Sequence, residues 1–141
     1  AEPGAGQVGE PGLGERPAQA LAVQLGVGGD HEDLAEGRLG STVVVQVGIN
    51  GTVTEEELRA IVDAAAGRRV FIINARVPRS WETSNNETVK RVVPRLPRAK
   101  VIDWYAASNG HRDWFLGDGV HLTPDGRDAY ARLIKRATDK A

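Results

Sequence analysis

The sequence predicts an α/β domain in which a parallel β-sheet lies between two layers of helices. From residue 41 onward, strand-like and helix-like units alternate in the order β-α-β-α-β-loop-α. The strand-like units are continuous apolar runs rich in valine and isoleucine, which is typical of strands covered on both faces. Such alternation favours parallel strands that are joined by right-handed crossovers, with helices packed on the sheet.

The first strand and the first helix have the clearest signals. The run STVVVQVG, residues 41–48, predicts a buried strand. In the following TEEELRAIVDAAAG, Thr54 can cap a helix while Glu57 returns the hydrogen bond, and Gly67 ends the helix. The apolar residues at helical spacing predict one inward face, made of Leu58, Ile61, Val62 and Ala65.

The remaining elements follow the same alternation. RVFIINA, residues 69–75, predicts a second strand, and AKVIDW, residues 99–104, predicts a third. Between them NNETVKRVV, residues 85–93, predicts a shorter helix that Pro94 ends. The last helix is predicted to begin with Thr123 as its cap and Pro124 at its first position. Its predicted inward face consists of Tyr130, Leu133, Ile134 and Ala137.

The amino-terminal part of the chain differs in composition from the rest. Residues 1–36 are rich in glycine and proline, and we expect this segment to be partly disordered. Residues 37–141 are expected to form the α/β domain. Because the sequence contains no methionine, Ala1 is expected to be the start of an excised or processed piece.

Composition excludes several classes of function. The net charge of −1 gives no basic excess, so binding to nucleic acid or to an anionic membrane surface is not expected. The absence of cysteine excludes disulfides, thiolate nucleophiles and cysteine-ligated metals. The neighbours His31, Glu32 and Asp33 lack a second histidine at ligand spacing, so neither a metal site nor a cofactor is expected.

The loops after the three predicted strands hold the candidate site, because open α/β sheets bind ligands at the carboxyl ends of their strands. These loops contain Asn50, in GINGT, and the pair Asp118 and His121, in GDGVH. A carboxylate three residues before a histidine can fix the tautomer of a general base. The Asn50 amide can donate to an oxyanion, and Gly48 allows a sharp turn. Structural alternatives stay open: Asp118 and Asn50 as turn formers, and His121 as a partly buried histidine near a helix cap.

Two stretches carry a resemblance to a known family. VVVQVGINGT resembles the third conserved block of the SGNH (GDSL-type) hydrolases, and DGVHLTPDGRDAYARLI resembles their last block. The run from Gly37 to Lys140 more closely resembles the SGNH domains of bacterial membrane O-acyltransferases, including those that acetylate peptidoglycan. The resemblance implies a three-layer, flavodoxin-like fold with His121 as base, Asp118 as its partner, and Asn50 with Gly48 in the oxyanion hole.

The same resemblance implies what the protein acts on and where. It implies an acyl-ester hydrolase or O-acyltransferase, with an acylated carbohydrate of the bacterial surface or a small ester as substrate. An extracytoplasmic or cell-surface location and an upstream membrane acyltransferase domain in the full-length protein belong to the same expectation. The family requires no cofactor.

The family's nucleophile is a serine in a Gly-Asp-Ser turn, and this sequence has no such turn. Of its four serines, Ser41 is predicted at the amino end of a strand, while Ser80, Ser84 and Ser108 are predicted in loops. Ser108 is a weak candidate, because it is not on a strand-to-helix elbow. Three explanations stay open: a truncated domain with its serine upstream of Ala1, a diverged or misread amino-terminal segment, and a catalytically inactive domain that binds glycan or a partner. A phosphate-binding module, suggested by GVGGD, is a weaker alternative.

Overall fold

A computed structural model describes residues 21–22 and 41–140 of the chain. These residues form a four-stranded sheet in the order β1-β2-β3-β4. The strands β2 (Thr42–Gln46), β3 (Arg69–Ile73) and β4 (Ala99–Ile102) are parallel, as the sequence predicts. The short β1 (Leu21–Ala22) pairs antiparallel with β2, which the sequence did not predict. The other residues of the predicted segment 1–36 lie outside the described residues.

In the described part of the chain, the helices that accompany the sheet are α1 (Glu55–Ala64), α2 (Glu82–Val92), α3 (Trp104–Ala107) and α4 (Pro124–Lys140). Single 3₁₀ turns span Val93–Arg95 and Arg112–Trp114. The predicted capping box is present, since Thr54 Oγ1 accepts from Glu57 N at 3.1 Å and Glu57 Oε1 accepts from Thr54 N at 3.0 Å. Among the described helices, none has the length and apolar character needed to cross a membrane.

The sheet is packed on both faces, because consecutive side chains of a strand point to opposite sides. One face packs against α1 and α2, and its core includes Val45, Val70, Ile72, Leu58, Val62, Val89 and Val92. The other packs against α3 and α4, and its core includes Val44, Phe71, Ile73, Ile102, Trp104 and Ile134. The predicted three-layer α/β/α architecture is therefore confirmed. The predicted inward faces of the first and last helices also lie in these two cores.

A chain of polar side chains ties the carboxyl ends of the parallel strands together. Gln46 Nε2 donates to Asn74 O at 3.1 Å, and its Oε1 accepts from Tyr130 Oη at 2.9 Å. Asn74 Nδ2 donates to Asp103 Oδ1 at 2.9 Å, and its Oδ1 accepts from Tyr105 N at 2.9 Å. Burial raises the pKa of Tyr130, so its hydroxyl stays a donor at ordinary pH. These bonds fix β2, β3, α4 and the segment after β4 relative to one another.

The first turn of α4 packs closely on Trp114. Thr123 Oγ1 accepts from Gly126 N at 3.1 Å and donates to Asp113 O at 3.0 Å, while Thr123 N donates to Trp114 O at 2.9 Å. A Cβ atom on Gly126 would lie only 2.1 Å from Trp114 O. Glycine is therefore required for this approach, which holds the end of the loop carrying His121.

Replacing Gly126 with alanine should lower the free energy of unfolding by about 1–3 kcal/mol, because the new methyl group must displace the Trp114 backbone. Urea denaturation would measure the change. Gly117→Ala is the matched control, since a Cβ there meets no atom within 4 Å, and it should change stability by less than about 0.5 kcal/mol. Equal stability of the two variants would contradict the packing described.

Candidate active site

The predicted Asp-His pair forms in the loop before α4. Asp118 Oδ2 lies 2.5 Å from His121 Nδ1. The other carboxylate oxygen, Oδ1, accepts from the backbone nitrogens of Val120 at 2.8 Å and His121 at 2.9 Å. The His121 side chain is 72% exposed. The ring is thus oriented through Nδ1, and its Nε2 has no partner among the described residues.

The Asp118 carboxylate is strongly stabilised in its ionised form. The hydrogen bond from the His121 ring, followed by the backbone N–H groups of Val120 and His121, holds its pKa well below the usual range. An ionised acceptor beside Nδ1 favours the tautomer in which Nδ1 carries the proton and Nε2 is the base. A general base in a serine hydrolase requires this arrangement.

Local hydrogen bonds explain why residues 115–122 adopt this shape. Leu116 N donates to His121 O at 2.8 Å, and Gly119 N donates to Leu116 O at 2.9 Å. Phe115 and Leu122 form an isolated antiparallel bridge that closes the loop. Gly119 has a φ of +76°, which favours glycine, and a Cβ there would lie 3.2 Å from Pro78 Cγ. The loop therefore rests against the segment that follows β3.

The loop after β2, which carries Asn50, is held by a buried amide. Asn85 is 2% exposed, its Oδ1 accepts from Val53 N at 2.8 Å, and its Nδ2 donates to Gly51 O at 2.8 Å. Gly48 has a φ of +92°, and its carbonyl accepts from Trp81 Nε1 at 3.0 Å. Asn85 was not among the site residues predicted from the sequence. The available signal was a polar residue on the buried stripe of α2, which otherwise consists of Val89 and Val92.

The side chain of Asn50 differs from that of Asn85. It is exposed, and no hydrogen bond joins it to another described residue. Its amide is therefore available to a ligand, whereas the Asn85 amide is fully occupied. This contrast is what an oxyanion donor on a supported loop requires.

The segment after β3 lies between the two candidate loops. Pro78 approaches Gly119 in the Asp118–His121 loop, and Trp81 donates to Gly48 at the start of the Asn50 loop. These two contacts bring the three loops together at the carboxyl edge of the sheet. They support the prediction that Asn50 and His121 face one site.

None of the four serines forms a hydrogen bond with His121. Ser108, the weak candidate nucleophile, is 1% exposed; its Oγ donates to Trp104 O at 2.7 Å and accepts from Arg76 Nε at 2.8 Å. Ser41, Ser80 and Ser84 are exposed. In this geometry the Ser108 hydroxyl is buried and is held by two hydrogen bonds. No three His, Asp or Glu side chains among the described residues lie close enough to hold a metal ion.

Replacing His121 with alanine should raise the pKa of Asp118 toward its usual range, because the largest cause of the lowering is removed. The Asp118 pKa is lower in the folded chain than in the unfolded chain, so the ionised carboxylate stabilises the fold at pH values above the unfolded pKa. This stabilisation is lost as the pH falls through the folded pKa. Because the pKa shift is smaller without His121, the variant should lose less stability on acidification. NMR titration of the Asp118 carboxyl carbon measures the shift. Arg127→Ala removes an exposed cation that donates to Leu122 O and that is not a cause of the Asp118 shift, so this control should leave that pKa unchanged. An identical Asp118 titration in the native and His121→Ala chains would contradict the assigned bond.

No family model matches the chain. Over 100 residues, 71% of its length, it is 35% identical to the peptidoglycan O-acetyltransferase OatA of Listeria monocytogenes, of which this stretch covers 16%. Over 100 residues it is also 32% identical to the O-acetyltransferase OatA of Staphylococcus aureus, covering 17% of that protein. The chain thus spans only a small part of the length of these relatives. It is a homologue of one segment of the bacterial O-acetyltransferases named OatA.

Proposed function

We propose that the chain carries the base and the oxyanion donor of an acyl-transfer site, in an O-acetyltransferase or acyl-ester hydrolase domain that acts on bacterial surface carbohydrate. The observation that carries the proposal is the Asp118–His121 pair, in which a carboxylate orients an exposed imidazole through Nδ1. The names of the relatives support an acetyl ester as the substrate, and one of those names specifies peptidoglycan.

The proposed reaction has two halves. A serine Oγ attacks the acyl carbonyl while His121 Nε2 takes its proton, and Asp118 stabilises the imidazolium that forms. The carbonyl oxygen becomes an oxyanion that accepts from Asn50, a donor worth about 3 kcal/mol in comparable sites. His121 then protonates the leaving alcohol, which leaves an acyl-serine. In the second half, a carbohydrate hydroxyl or water attacks that ester while His121 Nε2 takes its proton; the acyl–Oγ bond breaks, the new ester or the free acid is released, and His121 returns the proton to the serine Oγ.

The serine in this scheme is the unassigned part, because no serine of the sequence is paired with His121. This observation favours a second candidate function, a catalytically inactive domain that binds glycan or a partner through the same edge. An extracytoplasmic or cell-surface location belongs to the first proposal, because peptidoglycan lies outside the cytoplasm. An upstream membrane acyltransferase domain belongs to it as well, since the relatives are far longer than this chain.

A chimera distinguishes the two candidates. In the chimera, residues 1–40 are replaced by the segment that precedes the similar stretch in the Listeria relative. From the resemblance to SGNH hydrolases we expect that segment to carry the nucleophilic serine. The chimera should hydrolyse p-nitrophenyl acetate and form a stoichiometric fluorophosphonate adduct at the transplanted serine. His121→Ala should lower kcat by roughly 10³-fold or more, and Asn50→Ala by about 10²- to 10³-fold.

The native 141-residue chain is the matched control. It should give no adduct and no hydrolysis above its His121→Ala variant, because a base without a nucleophile cannot form an acyl-enzyme. A native-chain adduct at Ser108 or Ser80 would show that the nucleophile had been misplaced. A folded chimera that stays inactive would favour the binding domain.

A further inference from the structure

A guanidinium at the carboxyl edge of the sheet takes no part in the proposed reaction. Arg76 Nε donates to Ser108 Oγ at 2.8 Å, and its Nη2 donates to Tyr105 O at 2.6 Å. The Arg76 Cζ lies 4.1 Å from the centroid of the Tyr105 ring. Two hydrogen bonds and one ring contact therefore fix both the position and the plane of the guanidinium.

The groups that hold Arg76 are themselves anchored to the core. Ser108 Oγ donates to the carbonyl of the buried Trp104 at 2.7 Å. The backbone nitrogen of Tyr105 donates to Asn74 Oδ1 at 2.9 Å, and Asn74 is 6% exposed. Because the Arg76 side chain is already held in one conformation, it loses little conformational freedom when it binds a ligand.

Donors of Arg76 remain unused. A guanidinium has five N–H groups, and the two hydrogen bonds of Arg76 occupy only the Nε side and one position of Nη2. Within residues 41–140, Nη1 of Arg76 makes no hydrogen bond, and no Asp or Glu forms an ion pair with Arg76. A half-buried cation that lacks an anionic neighbour carries a desolvation cost that an anion would offset.

Arg76 lies in the segment after β3 that contacts the Asp118–His121 loop. Pro78, in the same segment, approaches Gly119 of the Asp118–His121 loop. An anion bound at Arg76 would therefore be held beside the site at which the acyl group is transferred. A carboxylate suits such a donor best, because its two oxygens match the spacing of guanidinium N–H groups.

We propose that Arg76, supported by Tyr105, binds a carboxylate of the acceptor substrate and so selects glycans that bear acidic substituents. The peptide-substituted muramoyl units of peptidoglycan are glycans of this class. The inference rests on the proposed function, because it assigns carboxylate recognition to the edge where that function places acyl transfer. Arg76 acts in this scheme as a specificity-determining residue.

Two ligands that differ in one group test the inference. N-acetylmuramoyl-L-alanyl-D-isoglutamine has one free carboxylate, and its carboxamide derivative has none. Calorimetric titration of the 141-residue chain should show that the acid binds about tenfold more tightly or better, as expected for a hydrogen bond to a charged group. Arg76→Gln should abolish this preference. Arg76→Lys should reduce it sharply, since an ammonium keeps the charge but lacks the planar pair of donors.

Arg79→Gln is the matched control, because it removes an exposed charge from the same segment. Among the residues that the structure describes, Arg79 donates only to Pro78 O, at 3.0 Å, and the variant should keep the preference for the acid. Thermal unfolding of each variant checks that it is folded, and the comparison of the two ligands on the native chain needs no variant.

Equal binding of the two ligands to the native chain would overturn the inference, as would no binding of either at roughly millimolar concentration, where the weakest specific complexes are still detected. A preference that survives in both Arg76 variants, or that is lost equally in Arg79→Gln, would overturn it too. The proposed function fails in a different way, through an inactive chimera, so the two failures are distinguishable.

Discussion

Amide side chains hold the Asn50 loop and the segments that follow β3 and β4, and the shape of the carboxyl edge of the sheet depends on them. An irregular loop packed against a protein core exposes backbone groups that cost free energy when they have no partner. Asn85 binds Val53 N and Gly51 O, and Asn86 binds both N and O of Ala75. Asn74 does the same for the segment after β4 by accepting from Tyr105 N. The strands can therefore lead directly into irregular but fixed loops.

Two classes of polar side chain can be distinguished at this edge: those that hold the loops in place, and those with a polar atom that is not hydrogen-bonded. Asn74 and Asn85 are buried and bonded on both sides of their amides. Asn50 and His121 are exposed, and each presents a polar atom that no described residue occupies. Arg76 lies between the two classes, because one part of its guanidinium is fixed and the other is unoccupied. A site preorganised in this way needs no rearrangement when charge develops in the transition state.

Local sequence patterns correctly predicted those features that depend on residues close to one another in the sequence. The capping box at Thr54 and Glu57 and the alternating order of strands and helices follow from neighbouring residues. So does the Asp118–His121 hydrogen bond, because its partners are three positions apart. These features could be read from the sequence without knowledge of its tertiary contacts.

The features that were missed depend on contacts between distant parts of the chain. The antiparallel β1 has only two residues and no periodicity to reveal it. The burial of Ser108 follows from the short helix α3 and from Arg76, and the need for glycine at 126 comes from the backbone of Trp114. The proposed boundary near residue 37 lies outside the described residues and stays a prediction.

The central claim is that Asn50 and His121 belong to one site. Because the chain has no cysteine, Asn50→Cys accepts a single nitroxide label, and NMR can then report paramagnetic broadening of the His121 ring. If the two residues share a site, the ring signals are lost together with the Trp81 indole signal, since groups that act on one small acyl group must lie close to each other. A His121 ring that keeps its signal intensity while the Trp81 indole signal disappears would contradict the account.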